Sequence, residues 1–132
     1  MSHLIGVYGS LRKGGCNHPR LNSSGAPAVQ QAVMKIPGRL YSLGAYCCAV
    51  QLADGEDGEI LTEIYEVDEQ IFRSLDAMEQ EVGYLGVKTT AADVDGVERT
   101  FIVWYRRAAP AGATRVESGD WVAFCQNNNQ PY

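Results

Sequence analysis

The sequence predicts an α+β domain built on a curved, largely antiparallel sheet with one or two helices. Three observations carry that prediction. Short apolar runs rich in β-branched residues recur along the chain, Asp95-Gly96 stands between two of them, and one segment after Asp68 repeats its apolar residues at helical spacing. The 132 residues fit a single domain over 1–132, with a core at about 4–122 and a polar tail at 126–132. Apolar residues make up 45% of the chain. A domain of this size buries roughly two thirds of its unfolded surface and needs no disulfide to be stable.

The elements follow in order. Leu4–Tyr8 is a short apolar run that stops at Gly9 and reads as a buried first strand. A glycine-bounded loop, Gly9-Ser10-Leu11-Arg12-Lys13-Gly14-Gly15, comes next. Asn17 is placed to cap a short helix with Pro19 in its first turn, where proline loses no hydrogen bond, and Ser23–Pro27 ends it. Ala28–Ile36 and Gly38–Ser42 read as strands, and Tyr46–Leu52 is apolar on both faces. Asp54–Gly58 has the composition of a hairpin turn. Glu59–Val67 alternates as a strand with one solvated side would. Asp68 is a good N-cap, Glu69 suits the positive end of a helix, and Ile71, Phe72, Leu75 and Met78 share its apolar face. That helix is expected to end near Glu79, since Gly83 breaks the pattern. Val87–Val94 and Thr100–Tyr105 flank the Asp95-Gly96 turn, and Ser118-Gly119-Asp120-Trp121 opens a last short element.

Composition excludes several functions. The net charge is −5, from 11 basic and 16 acidic residues, which argues against nucleic acid because a phosphate backbone needs a basic face. The pairs Arg12-Lys13 and Arg106-Arg107 read as solvated surface. Cys16, Cys47, Cys48 and Cys125, with His3 and His18, give no zinc spacing, and no metal is expected. Adjacent Cys47 and Cys48 should face opposite ways on a strand, at least one of them buried. Asp54–Gly58 lacks the alternate oxygen ligands of a calcium loop. Gly9-x-x-x-x-Gly14 is followed by Gly15 rather than Lys-Ser or Lys-Thr, so the loop is not a phosphate-binding P-loop. There is no leader-like segment and no run of 18 apolar residues. The expectation is a cytoplasmic protein with no membrane partner.

Val7-Tyr8-Gly9-Ser10-Leu11-Arg12 resembles the opening signature of the γ-glutamylcyclotransferase-like (AIG2-like) family. Four further stretches match in order. They are Gly38–Tyr46, Glu63–Asp68 with Leu75-Asp76-Ala77-Met78-Glu79, Phe101–Tyr105, and Ser118–Trp121. Together they span residues from about 4 to 122. The resemblance implies a small mixed, largely antiparallel β-barrel with a few flanking helices and a cavity at one end. It also implies release of a γ-glutamyl group as 5-oxoproline from a small-molecule γ-glutamyl substrate. By position, Glu79 corresponds to the family's acid/base, with Glu81 two residues away as its competitor. Tyr8, Gly9, Ser10 and Leu11 correspond to the substrate cradle, and Tyr84 to a tyrosine that follows the glutamate. The sequence departs from the family at Gln80 and Thr62, each in place of glycine, at Gly86 in place of arginine, and at Cys47 in place of proline. A binding module on the same scaffold, without catalysis, is the alternative that these departures keep open.

The residues suit that chemistry. Ring closure needs a base for the substrate's ammonium and an acid for the departing amine, and one carboxylate can serve as both, contributing about 10²–10⁴-fold. Attack is intramolecular, so orientation supplies much of the rest, and no cofactor is required. At a helix end, unpaired carbonyls would raise the Glu79 pKa. Consecutive amides at Gly9–Leu11 can bind an anion. Tyr105 and Cys48 are expected in the core and His18 at the surface.

Overall fold

The computed structural model describes residues 2–22 and 27–132. Strand β1 (Ser2–Val7) lies at the centre of a curled five-stranded sheet. Its neighbours are β5 (Glu59–Asp68) and β7 (Glu98–Tyr105), with β2 (Val29–Pro37) and β6 (Leu85–Ala92) at the edges. All pairings in this sheet are antiparallel except β1 with β7, which makes it a mixed half-barrel. A second, antiparallel sheet has β3 (Arg39–Ser42) between β4 (Cys47–Val50) and β8 (Thr114–Val116). Helix α1 (Glu69–Glu81) follows β5, α2 (Trp121–Asn127) follows β8, and His18–Asn22 is a short 3₁₀ turn. No described helix is long and apolar enough to cross a membrane.

Period-2 alternation splits the strand residues between two cores. Ile60, Ile64, Phe101, Val103 and Tyr105 meet Leu40, Cys47, Ala49 and Val116 of the small sheet, and Trp121 and Cys125 of α2. Ile5, Val7, Tyr65, Val67 and Trp104 meet Ile71 and Leu75 of α1 and Leu21 of the 3₁₀ turn. Cys47 and Cys48 accordingly point into different cores, both buried, and all four cysteines are free thiols.

Helix α1 starts where expected: the Asp68 carboxylate accepts from the Ile71 N–H at 2.8 Å. It runs two residues past Glu79 before turning at Gly83, whose φ of +93° suits glycine. The Asp95-Gly96 hairpin is present, but its loop is five residues long. Ala92 pairs with Glu98, and the Asp93 carboxylate accepts from the Asp95 and Val97 amides. The short helix expected after Asn17 is a 3₁₀ turn, and Ser23–Ala26, at its expected end, lie outside the described residues.

Four expectations are corrected. Asp54–Gly58 is not a hairpin, because β4 and β5 belong to different sheets. β5 has no continuous solvated side: Glu63 and Tyr65 are buried beneath the loop that follows β1 and against α1. Arg12 is not solvated surface, since it is drawn inside by two carboxylates. Residues 126–132 are not a loose tail. Residues 126 and 127 complete α2, the Cys16 N–H donates to the Tyr132 carbonyl at 2.6 Å, and the Gln130 side chain donates to the Gly44 carbonyl at 2.8 Å.

Candidate active site

A cavity of about 90 Å³ opens where the end of β1, the loop after it, the β3–β4 connection and the last turn of α1 meet. Tyr8, Gly9, Ser10, Leu11, Glu79 and Tyr84 all line it. Glu81 does not, and its side chain is exposed. Helix geometry explains the difference. Glu79 lies four residues beyond Leu75 and eight beyond Ile71, the two buried positions of α1, so it shares their inward face. Two residues further on, Glu81 has rotated by about 200° to the opposite side.

Burial pushes the Glu79 carboxyl up to about 7, by penalising its charged form. The cause differs from the one expected, because desolvation rather than the helix end raises it. Glu79's own carbonyl accepts from the Val82 and Tyr84 amides, so that part of the terminus is satisfied.

The loop is folded tightly by its own backbone. The Arg12 N–H donates to the Gly9 carbonyl at 3.0 Å, and the Asn17 N–H donates to the Ser10 carbonyl at 3.0 Å. The Asn17 side-chain oxygen, which a helix cap would use, accepts from Arg20 Nε at 3.2 Å, and its NH2 group donates to Ser10 Oγ at 2.8 Å and braces the loop. Among the described residues, the amides of Gly9, Ser10 and Leu11 donate to no protein acceptor. All three residues line the cavity, and amides without a protein partner are free to hold an oxyanion or carboxylate.

The loop is anchored below by Arg12. Its Nε donates to Glu63 Oε2 at 3.0 Å, and its Nη1 to Asp120 Oδ1 at 2.8 Å. Glu63 also accepts from the Lys13 N–H and the Tyr65 hydroxyl. Asp120 in turn accepts from the Ala123 N–H and caps α2. One guanidinium therefore ties the cradle to β5 and to the last helix.

The two tyrosines act as struts. The Tyr8 hydroxyl donates to the Trp104 carbonyl at 2.7 Å and accepts from the Ala49 N–H, and the Tyr84 hydroxyl donates to the Cys47 carbonyl at 2.9 Å. Burial raises the pKa of both, so they stay neutral and offer the cavity ring surface rather than acidity. Burial likewise pushes the Cys47 thiol well up, leaving an uncharged wall rather than a nucleophile.

Tyr46, Met78 and Trp104 line the cavity without having been singled out from the sequence. Met78 precedes Glu79 on the apolar helix face, and Trp104 has opposite parity to core residue Tyr105, so both signals were present. Gly86 does not line the cavity. An added Cβ there would meet Trp104 Nε1 at 3.2 Å, and that nitrogen already donates to Asp76 at 2.9 Å. A side chain at this position would start out crowded against Ile102 and Trp104 and in contact with Asp76.

Gly9 is needed for a close approach. A Cβ at this position would lie 2.9 Å from Cys47 Sγ. Gly9→Ala is expected to cost about 1–3 kcal/mol in urea unfolding by overpacking, and to weaken substrate binding by displacing the loop. Adding Cys47→Ala should restore most of both, whereas a double variant as damaged as the single one would place the cause elsewhere.

The half-barrel thus brings a glycine loop and a half-buried carboxylate of raised pKa to the wall of one small cavity. The family profile described as "Gamma-glutamyl cyclotransferase, AIG2-like" matches residues 5–123, and the chain belongs to that family. Two curated bacterial relatives carry the name "Putative gamma-glutamylcyclotransferase". The Bacillus subtilis (strain 168) protein YkqA is 35% identical over 122 residues, and a Vibrio cholerae serotype O1 protein is 31% identical over 121. The chain spans 42% of the length of the first and 96% of the second, with 92% of its own length aligned in each case. Among solved structures, a Pyrococcus horikoshii protein superposes with a TM-score of 0.73 at 27% identity, covering 96% of both chains.

Proposed function

We propose that the protein is a γ-glutamylcyclotransferase-type enzyme that releases a γ-glutamyl group from its amine as 5-oxoproline, with Glu79 as the single acid/base. The observation that supports this most is that Glu79 and the Gly9–Leu11 loop, whose amides donate to no described protein acceptor, line one cavity. Family membership points the same way.

The steps balance without a co-reactant. The substrate's α-ammonium gives one proton to Glu79, and the free amine attacks its own γ-carbonyl. As the ring forms, the carbonyl oxygen gains negative charge beside the Gly9–Leu11 amides. As the bond from the γ-carbon to the leaving nitrogen breaks, that nitrogen takes the first proton from Glu79. The ring nitrogen then gives its second proton to the freed carboxylate, which passes it to the departing amine, so the product leaves as an ammonium and Glu79 ends ionised. Met78, Trp104 and the rings of Tyr8 and Tyr84 hold the glutamyl chain curled, which suits a reaction that gains mainly from orientation.

A carboxyl with a pKa of about 7 is half ionised near neutrality, suited to both taking and returning a proton. The expected kcat/KM profile rises tenfold per pH unit on its acid side and levels off near pH 7. The test is 5-oxoproline release from γ-glutamyl-amino acids, γ-glutamyl-lysine isopeptide and γ-glutamyl amines, followed from pH 5 to 9. No product from any of them would leave a small-metabolite-binding module as the better reading. An acid limb near pH 4.5 would remove the role given to burial.

A further inference from the structure

Beside the site cavity runs a wider groove of about 590 Å³, and Tyr46 lines both. The groove lies between the β3–β4 connection and the 110–114 segment, and Arg106 is the one charged residue in its wall. Among the described residues no carboxylate pairs with Arg106. By contrast, Arg12, Arg39, Arg73, Arg99 and Arg115 each have one within 4.0 Å. The hollow on the other side of Arg106, lined by Gln51, Gln80 and Arg107 among others, has no carboxylate either. Arg106 is nevertheless held in place. Its N–H donates to the Ala49 carbonyl at 2.8 Å, and its guanidinium stands 6.0 Å from the centre of the Tyr84 ring, which faces the site.

We infer that Arg106 selects the leaving group, seating a carboxylate carried by the departing amine in the groove beyond Tyr46. This rests on the function proposed above. A cavity of about 90 Å³ suits a compact group undergoing ring closure, so the remainder of the substrate lies past its wall, and Tyr46 is the wall shared with the groove. A guanidinium is permanently charged and presents paired donors that match a carboxylate. A plain alkylamine would leave it unpaired, and a leaving group with a second ammonium would be repelled. The class selected is therefore γ-glutamyl bonds to amino acids or peptides rather than to simple amines or diamines.

The test compares γ-glutamyl-alanine with γ-glutamyl-ethylamide, which differ only by the carboxylate. Binding is measured by calorimetry on Glu79→Gln, which retains the ligands unreacted, and turnover on the wild type. γ-Glutamyl-alanine should bind about 10- to 100-fold more tightly, the effect of one charge-assisted contact. Arg106→Gln on the same background should erase that preference while leaving the ethylamide affinity within about twofold, and Arg106→Lys should restore part of it. Equal binding of the two probes, binding of neither, or an equal loss of both on Arg106→Gln would overturn the inference. An Arg106-dependent preference without 5-oxoproline from the wild type would sink the proposed reaction, and with it the leaving-group role, while leaving Arg106 as a carboxylate-binding group in the groove. Turnover without preference would do the reverse.

Discussion

Glu79→Gln is expected to reduce 5-oxoproline release by at least 10²–10⁴-fold and, at the same time, to make the protein more stable above pH 7. The second effect follows from the same burial as the first. The folded carboxyl titrates at about 7 against an ordinary 4.5, so between these values the folded state holds a proton that the unfolded chain has released. Stability therefore falls as pH rises through this window and stays reduced beyond it. At 1.36 kcal/mol per unit, the wild type gives up about 2–3 kcal/mol by pH 8 that it still has at pH 4–5. Glutamine cannot ionise and escapes the loss. Urea unfolding of both proteins at pH 5 and pH 8 reads this directly: the variant's advantage should grow by that amount between them. A pH-independent difference would mean that the carboxyl is well solvated, and near-normal turnover would remove Glu79 from the chemistry.

Arg12→Met is expected to be the most damaging single change outside the cavity, destabilising the fold by about 3–5 kcal/mol. Both Arg12 and Glu63 have side chains less than a tenth exposed. Removing the cation leaves the Glu63 charge buried with only the Lys13 amide and the Tyr65 hydroxyl to satisfy it, and it leaves Asp120 without its arginine. For a domain of this length the melting temperature should drop by roughly 10–20 °C. Neutralising the partner as well, in Arg12→Met with Glu63→Gln, should recover much of the stability, because the cost lies in the orphaned charge rather than in a lost attraction. Activity should recover less than stability, with KM remaining high, since the Gly9–Leu11 loop would still lack its tether. A double variant no more stable than the single one would show that the pair is net stabilising.

The contrast between these residues explains what could be read from the chain. Helix α1 was legible because it has a clean period, with Ile71, Leu75 and Met78 on one face, whereas Glu79 itself was singled out by its position in the family resemblance. The strands and their hairpin were legible for the same reason, since alternation of apolar residues is a local signal. Arg12 and Glu63 were not, because each looks like surface until the loop after β1 is laid across β5, a contact between positions 51 apart. Arg106 was equally silent, its meaning depending on which carboxylates are absent around it. The turn at Asp54–Gly58 misled for a related reason. Its composition states that the chain reverses, but nothing local states that the next strand joins a different sheet.

The central place of β1 between β5 and β7 has a consequence for biogenesis. During synthesis this strand emerges before the other strands of the domain, yet its register partners are residues 63–68 and then 102–103. It must wait unpaired until β5 emerges, with its other edge open until β7 does, and pairings this distant in sequence form slowly because a long loop has to close before they gain anything. The glycine loop hangs directly from that strand, so the cavity it lines is complete only after β7, which carries Trp104, has emerged. A nascent chain stalled before β7 would carry Glu79 already on its helix but have no finished pocket for it to serve.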